Sequence, residues 1–238
     1  MNEAREARAL VDAVARRFRP AGIFAERFAR GKLRHDPVYL DLLRRGVIPD
    51  RARVLDLGCG QALLLCLLVE STALARAGRW PASWPPPPAQ LQLRGIERAA
   101  SDVRRARIAL AAEGEIEQHD VRTAPLAQSD LIALLDVVHY LEPDSQDHLL
   151  GRVANSLSPG GVLLLRVCDA AAGFSALLTR MTDRLGSLSR GRMVGRLYSR
   201  SATEWIAALE RLGLSASAEP ASAGTPFANV LITARKAS

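Results

Sequence analysis

Residues 54 to 60, Val-Leu-Asp-Leu-Gly-Cys-Gly, constrain the fold of this chain more than any other stretch. The apolar residues around Asp56 predict a buried strand. Gly58-Cys59-Gly60 predicts a turn, and the apolar run Ala62 to Val69 predicts a helix that the turn opens. Such a turn presents backbone N–H groups to a ligand, and glycine lets the chain pass close because no Cβ intervenes. Asp56 narrows the ligand further. A carboxylate at the strand end repels a pyrophosphate but suits an ammonium group or a hydroxyl. The stretch reads as the glycine loop of a nucleoside binder whose ligand carries an amino group.

The rest of the sequence alternates strand and helix patterns. Strands are predicted at Arg53 to Leu57, Leu91 to Glu97, Ile116 to His119, Leu131 to Asp136 and Gly161 to Cys168. Helices are predicted at Ala62 to Ala77, Ala100 to Ala112, Pro143 to Leu157 and Thr203 to Leu212. A final strand pair follows, near Leu214 to Glu219 and Ala228 to Arg235. Short apolar strands alternating with helices predict an α/β fold with a parallel sheet covered on both faces. Residues 1–50 read as a helical lead-in and 51–238 as the main domain. Within the lead-in, Leu10, Val11, Val14 and Phe18 recur at helical spacing, Pro20-Ala21-Gly22 breaks the pattern, and a short helix is expected from Val38 to Arg45. Gly31 to Pro37 reads as a polar linker between these helices. Residues 79–90 hold five prolines and read as a rigid loop, and residues 170–201 read as an inserted cap.

Composition excludes several classes. No apolar run approaches the ~20 residues of a membrane span, and residues 1–19 lack a signal-peptide core. Cys59, Cys66 and Cys168 form neither a CxxC pair nor a metal-ligand cluster, so a reduced, cytoplasmic protein without a metal is expected. The net charge is +7, yet lysine occurs only at Lys32 and Lys236. An arginine- and alanine-rich usage of this kind accompanies GC-rich coding, and the few aromatics are not interleaved with basic runs, which disfavours nucleic acid as a partner.

The motifs, taken in order, resemble those of class I S-adenosylmethionine-dependent methyltransferases, a Rossmann-like fold. Asp-Leu-Gly-Cys-Gly-Gln-Ala resembles their Asp-x-Gly-x-Gly-x-Gly loop, with Ala62 at the last glycine. Glu97 ends the second strand and would accept hydrogen bonds from both ribose hydroxyls. It lies 37 residues after Gly60 rather than ~20, and the proline-rich loop accounts for the excess. His119-Asp120-Val121 follows the third strand. The resemblance implies that Asp120 bonds the adenine amino group and that the backbone N–H of Val121 meets the ring, with Arg98 either beside the adenine or in water. Leu157-Ser158-Pro159-Gly160-Gly161 resembles the family's Leu-x-Pro-Gly-Gly turn before strand five. The resemblance assigns S-adenosyl-L-methionine to Asp56, Gly58, Cys59, Gly60, Glu97, Arg98, Asp120, Val121, Asp136 and Lys32.

The acceptor side is expected after strand four, at Asp136-Val137-Val138-His139-Tyr140, because ligands of open α/β sheets sit at the carboxyl ends of the strands. Methyl transfer is an in-line displacement, so the enzyme mainly positions the reactants and removes an acceptor proton where one is present. His139, with Tyr140, is the candidate base, set against a packed histidine that merely holds the loop. Lys32, Arg34 and His35 form a second cluster. There a cation would hold the cofactor's carboxylate and His35 would approach the acceptor, set against a solvated linker.

The cap carries apolar residues at helical spacing, from Phe174 to Leu188, and five arginines between Arg184 and Arg200. It reads as a helix packed on the core, as a surface element touching anionic lipid, or as a dock for an acidic carrier protein. The whole chain also resembles bacterial methyltransferases associated with aryl polyene pigment pathways, which implies an aromatic, carrier-bound small-molecule acceptor. Three other functions remain: an NAD(P)-dependent oxidoreductase, weakened by the missing third glycine; a non-catalytic methyltransferase-like binding protein; and an RNA methyltransferase, which would need a basic face continuous with the cofactor cleft. The sequence does not fix the oligomeric state.

Overall fold

A computed structural model describes residues 3–170, 198–221 and 229–238. Two compact units divide the chain, Met1–Ala124 and Pro125–Ser238. The first unit holds three neighbouring strands and the second holds four. The expected α/β, Rossmann-like architecture is present.

In the first unit, helices α1 (Glu3–Arg17), α2 (Ile23–His35) and α3 (Val38–Arg44) precede β1 (Arg53–Leu57). Gly22, at φ 108, separates α1 from α2 where the Pro-Ala-Gly break was expected. The expected linker Gly31 to Pro37 is different: α2 continues through His35. Leu33 supplies the buried contact that keeps this polar stretch helical, and the charged residues around it occupy the outer face. Arg17, the last residue of α1, binds the helices together. Its guanidinium donates to Ala109 O at 2.8 Å and to Glu70 Oε1 at 2.9 Å.

Successive residues of β1 from Val54 to Leu57 are all buried, as required of a strand covered on both faces. β1 pairs in parallel with β2 (Gln92–Glu97), and β2 with β3 (Glu115–Gln118). Helix α4 (Leu63–Arg76) follows β1, and α5 (Ala100–Leu110) follows β2. The proline-rich loop is held rather than free. Trp84 is buried beneath the Arg44 guanidinium, 4.9 Å from its ring, and Thr72 Oγ1 donates to Pro88 O at 2.9 Å.

In the second unit, β4 (Ser129–Leu135) pairs in parallel with β5 (Leu157–Cys168), and α6 (Pro143–Ser156) connects them. After helix α7 (Ala202–Arg211), β6 (Leu214–Pro220) and β7 (Asn229–Lys236) form the expected antiparallel pair, with β7 between β5 and β6. The expected turn at Leu157 to Gly161 is present, with the Gly161 backbone folded close to Ser158. It lies within β5, where the register jumps: Ser129 pairs with Leu157 while Leu131 pairs with Val162, so three extra residues loop out between them. Gly160, at φ 72, supplies the left-handed residue that this tight turn requires. The apolar cap residues Phe174 to Leu188 lie outside the described residues, as do the cap arginines except Arg200.

Candidate active site

The glycine loop differs from the expected row of outward N–H donors. Gly58 and Cys59 both donate to Ile96 O, at 2.7 and 3.1 Å, and Ala62 donates to Cys59 O. Gly60 donates to the carboxylate of Glu97, Glu97 Oε2, at 3.1 Å. The loop is therefore sewn to the end of β2, and what it offers a ligand is room. Gly60 sits at φ 56, and a Cβ built there would meet nothing within 4 Å. Ala62, standing where the family pattern has glycine, adopts the left-handed conformation at φ 63 as the N-cap of α4. This strained alanine explains why the motif usually carries glycine at that place. One strand over, Gly95 is equally constrained, since a Cβ there would lie 2.8 Å from both Cys59 Sγ and Ile116 Cδ1.

Two carboxylates converge on this loop. Glu97 is 6% exposed, and its Oε1 accepts the Ala99 N–H at 2.7 Å while Oε2 holds the Gly60 N–H. Asp56 is 4% exposed, and burial, with the Glu97 charge behind it, raises its carboxyl to about 7. A carboxyl poised there ionises readily against an arriving ammonium group. Burial also pushes the Cys59 thiol well above its usual range, so this cysteine packs rather than reacts.

Asp120 is clamped at both oxygens. Arg122 donates through Nε to Oδ1 at 3.0 Å and through Nη2 to Oδ2 at 2.7 Å, which holds the carboxyl below its ordinary range. Val121 beside it is buried, whereas Arg98 is exposed. Lys32 pairs with Asp36 at 2.7 Å, Arg34 with Asp12 at 3.2 Å, and the exposed His35 Nδ1 lies 2.9 Å from Gly31 O. Lys32 and His35 thus make contacts within the end of α2, and Arg34 reaches across to α1.

In the second unit, Asp136 follows β4 at φ 61 and accepts a hydrogen bond from Arg166 Nη1 at 3.1 Å. His139 is 3% exposed, and burial lowers its imidazole to about 4, so it is neutral at pH 7. Tyr140 is 39% exposed, its ring 4.3 Å from that of His139. Sequence reasoning missed three side chains here and nearby. Arg166 is a buried cation in the middle of an apolar strand, and that interruption of Val-Leu-Leu-Leu-Arg-Val-Cys was a readable signal. Gln146 shares the buried face of α6 with Leu149, Leu150 and Val153, a spacing that placed it inside. Arg122 gave no signal beyond its nearness to Asp120.

The sequence profile of a methyltransferase domain matches residues 9–218. A trans-aconitate 2-methyltransferase of Azoarcus sp. (strain BH72) is 38% identical over 128 residues, which is 53% of this chain and 43% of that protein. The match spans less than half the length of that curated relative. Magnesium protoporphyrin IX methyltransferase from Synechocystis PCC 6803, solved with bound SAH, is similar over 90% of this chain and 88% of its own, with TM-score 0.57 and 19% identity. Human N-acetylserotonin methyltransferase, solved in complex with SAM, is similar over 88% of this chain and 52% of its own, with TM-score 0.56 and 20% identity. With its sewn glycine loop and paired carboxylates, this chain belongs to the methyltransferase-domain family, of the class I S-adenosylmethionine-dependent kind.

Proposed function

We propose that the chain is an enzyme that transfers the methyl group of S-adenosylmethionine to a small-molecule acceptor by in-line displacement. The observation that carries this reading is the Glu97 carboxylate. It ends β2 and fixes both the glycine loop through Gly60 and the start of α5 through Ala99. Glu97 would hold the ribose hydroxyls, Asp120 the adenine amino group, the Val121 N–H the ring and Asp56 the ammonium, while the open face of Gly60 and the turn at Gly58 and Cys59 leave room for the sulfur end. Arg98 would lie along the adenine, Lys32 would trade Asp36 for the cofactor's carboxylate, and Asp136, after β4, is a further cofactor-binding candidate. When bound, S-adenosylmethionine supplies an electrophilic methyl group on a sulfonium.

The acceptor side falls to Tyr140 and His139, with His35 as a further candidate. A neutral imidazole lowered to about 4 is a weak proton acceptor, so His139 backs the exposed Tyr140 ring rather than acting as a strong base. That ring favours an aromatic acceptor, free or attached to an acidic carrier protein docked on the basic segment around Arg200. A cytoplasmic location, with contact to membrane surfaces left to that same segment, completes the reading. A second class, a carboxylic acid, is favoured by the buried Arg166 and by relatives named for trans-aconitate.

Incubation with methyl-labelled S-adenosylmethionine and either phenolic acids or trans-aconitate tests both classes. A base-stable labelled product supports the aromatic acceptor, and a product releasing methanol in base supports methyl-ester formation. Failure with every acceptor, despite cofactor binding, would leave a binding protein without turnover.

A further inference from the structure

Gln146 is fully buried, and its side-chain nitrogen lies 3.1 Å from three carbonyl oxygens, those of Val138, Leu141 and Tyr198. Only this orientation of the amide pairs donors with acceptors, and its two N–H groups are shared among the three. Val138 opens the short 3-10 turn that carries His139 and Tyr140, and Leu141 caps its end. Tyr198 closes the loop from the other side, where its N–H donates to His139 O at 2.9 Å. The chain after Tyr198 is anchored as well. Arg200 Nη1 donates to Asp147 Oδ1 at 2.6 Å and Nη2 to Pro143 O at 3.2 Å, both on α6. One glutamine on a rigid helix thus joins two irregular segments that share no regular secondary structure with each other.

We propose that Gln146 is a positioning residue for the acceptor side of the reaction, fixing the Val138–Leu141 turn against residues 198 to 200 so that the Tyr140 ring is held in one place. The role in catalysis rests on the reading that Tyr140 faces the acceptor; the role in ordering the turn does not. Buried carbonyls that lose their donor carry an unmet desolvation cost, so the turn opens locally when the amide is replaced by an apolar side chain of the same length.

The test compares wild type with Gln146→Met, which removes the donors, and with Gln146→Glu, which keeps the shape and leaves at most one donor, the O–H of the protonated acid. Amide hydrogen exchange would be followed at Tyr140, Leu141 and Tyr198, whose N–H groups donate to Val137 O, Val138 O and His139 O. Exchange at these three should quicken at least 10-fold in both variants while the β5 amides from Val162 to Val167 keep their protection. Affinity for S-adenosylhomocysteine should stay within twofold of wild type. With whichever phenolic acid or trans-aconitate the wild type methylates, acceptor KM should rise about 10-fold or more and kcat should change less. Unchanged exchange at the three amides overturns the proposal, as does loss of protection throughout the second unit. Altered exchange without a KM effect would instead remove Tyr140 from the acceptor site and leave the ordering role intact.

Discussion

Glu97 accepts the backbone N–H of Gly60 at 3.1 Å, so the residue that ends β2 sets the position of the loop that ends β1. Because Gly60 has open space where a side chain would begin, a methyl group there leaves the loop's packing alone and intrudes where a ligand would pass. Gly60→Ala should cost only about 1–2 kcal/mol of stability, the left-handed penalty at φ 56. Affinity for S-adenosylhomocysteine should fall at least 10-fold. Thermal melting with and without ligand checks both halves.

Asp56 makes stability depend on pH in a defined direction. Burial raises its carboxyl from 3.8 to about 7, so between these values the folded state holds a proton that the unfolded chain releases. Stability from this group falls as pH rises through that window and levels off above it. Asp56→Asn should therefore melt higher than wild type at pH 8, with the difference vanishing below about pH 4. If Asp56 meets the cofactor's ammonium, the same variant binds S-adenosylhomocysteine more weakly. Wild-type binding near pH 6.5 should also release a proton, which is measurable by calorimetry in buffers of different ionisation heat.

Gly95 lies under the glycine loop, and an added Cβ would sit 2.8 Å from Cys59 Sγ and from Ile116 Cδ1. Both neighbours are held, Cys59 through its N–H to Ile96 O and Ile116 within β3. Gly95→Ala should destabilise by about 1–3 kcal/mol, and it should weaken cofactor binding by displacing the loop. Denaturant unfolding and a binding titration would separate the two effects.

Lys236 Nζ donates at 2.9 Å to the carbonyls of Ala154 and Leu157, at the C-terminal end of α6. A cation there satisfies otherwise orphaned carbonyls and opposes the helix dipole. Lys236→Met should cost about 2 kcal/mol. Melting should fall by roughly 4–8 °C, with cofactor affinity unchanged.

The elements that hydrophobic pattern and glycine punctuation encode were legible. β1 falls at Arg53–Leu57 as predicted, α6 within a residue of its predicted end, and the closing antiparallel pair is present. Polarity misled where one buried residue outweighed several charged ones, as with Leu33 keeping Gly31 to His35 in α2. The Leu-Ser-Pro-Gly-Gly turn was legible from its proline and glycines, but not that it loops out within β5, which only the strand pairing reveals. At the site, residue types identified Asp56, Gly60 and Glu97 as one group, but they did not reveal that Glu97 and Ile96 consume the loop's N–H groups. Gln146 was illegible for a related reason. Its partners are backbone carbonyls, one of them 52 residues away, and backbone acceptors leave no trace in a sequence.

The central claim is tested most directly by calorimetric titration of the full chain with S-adenosylhomocysteine, repeated on Glu97→Ala, with NAD as the control ligand. Micromolar binding to the wild type, no binding of NAD, and a loss of at least 10-fold in the variant are the predicted results. Absence of S-adenosylhomocysteine binding, a preference for NAD, or full affinity in Glu97→Ala would contradict the account.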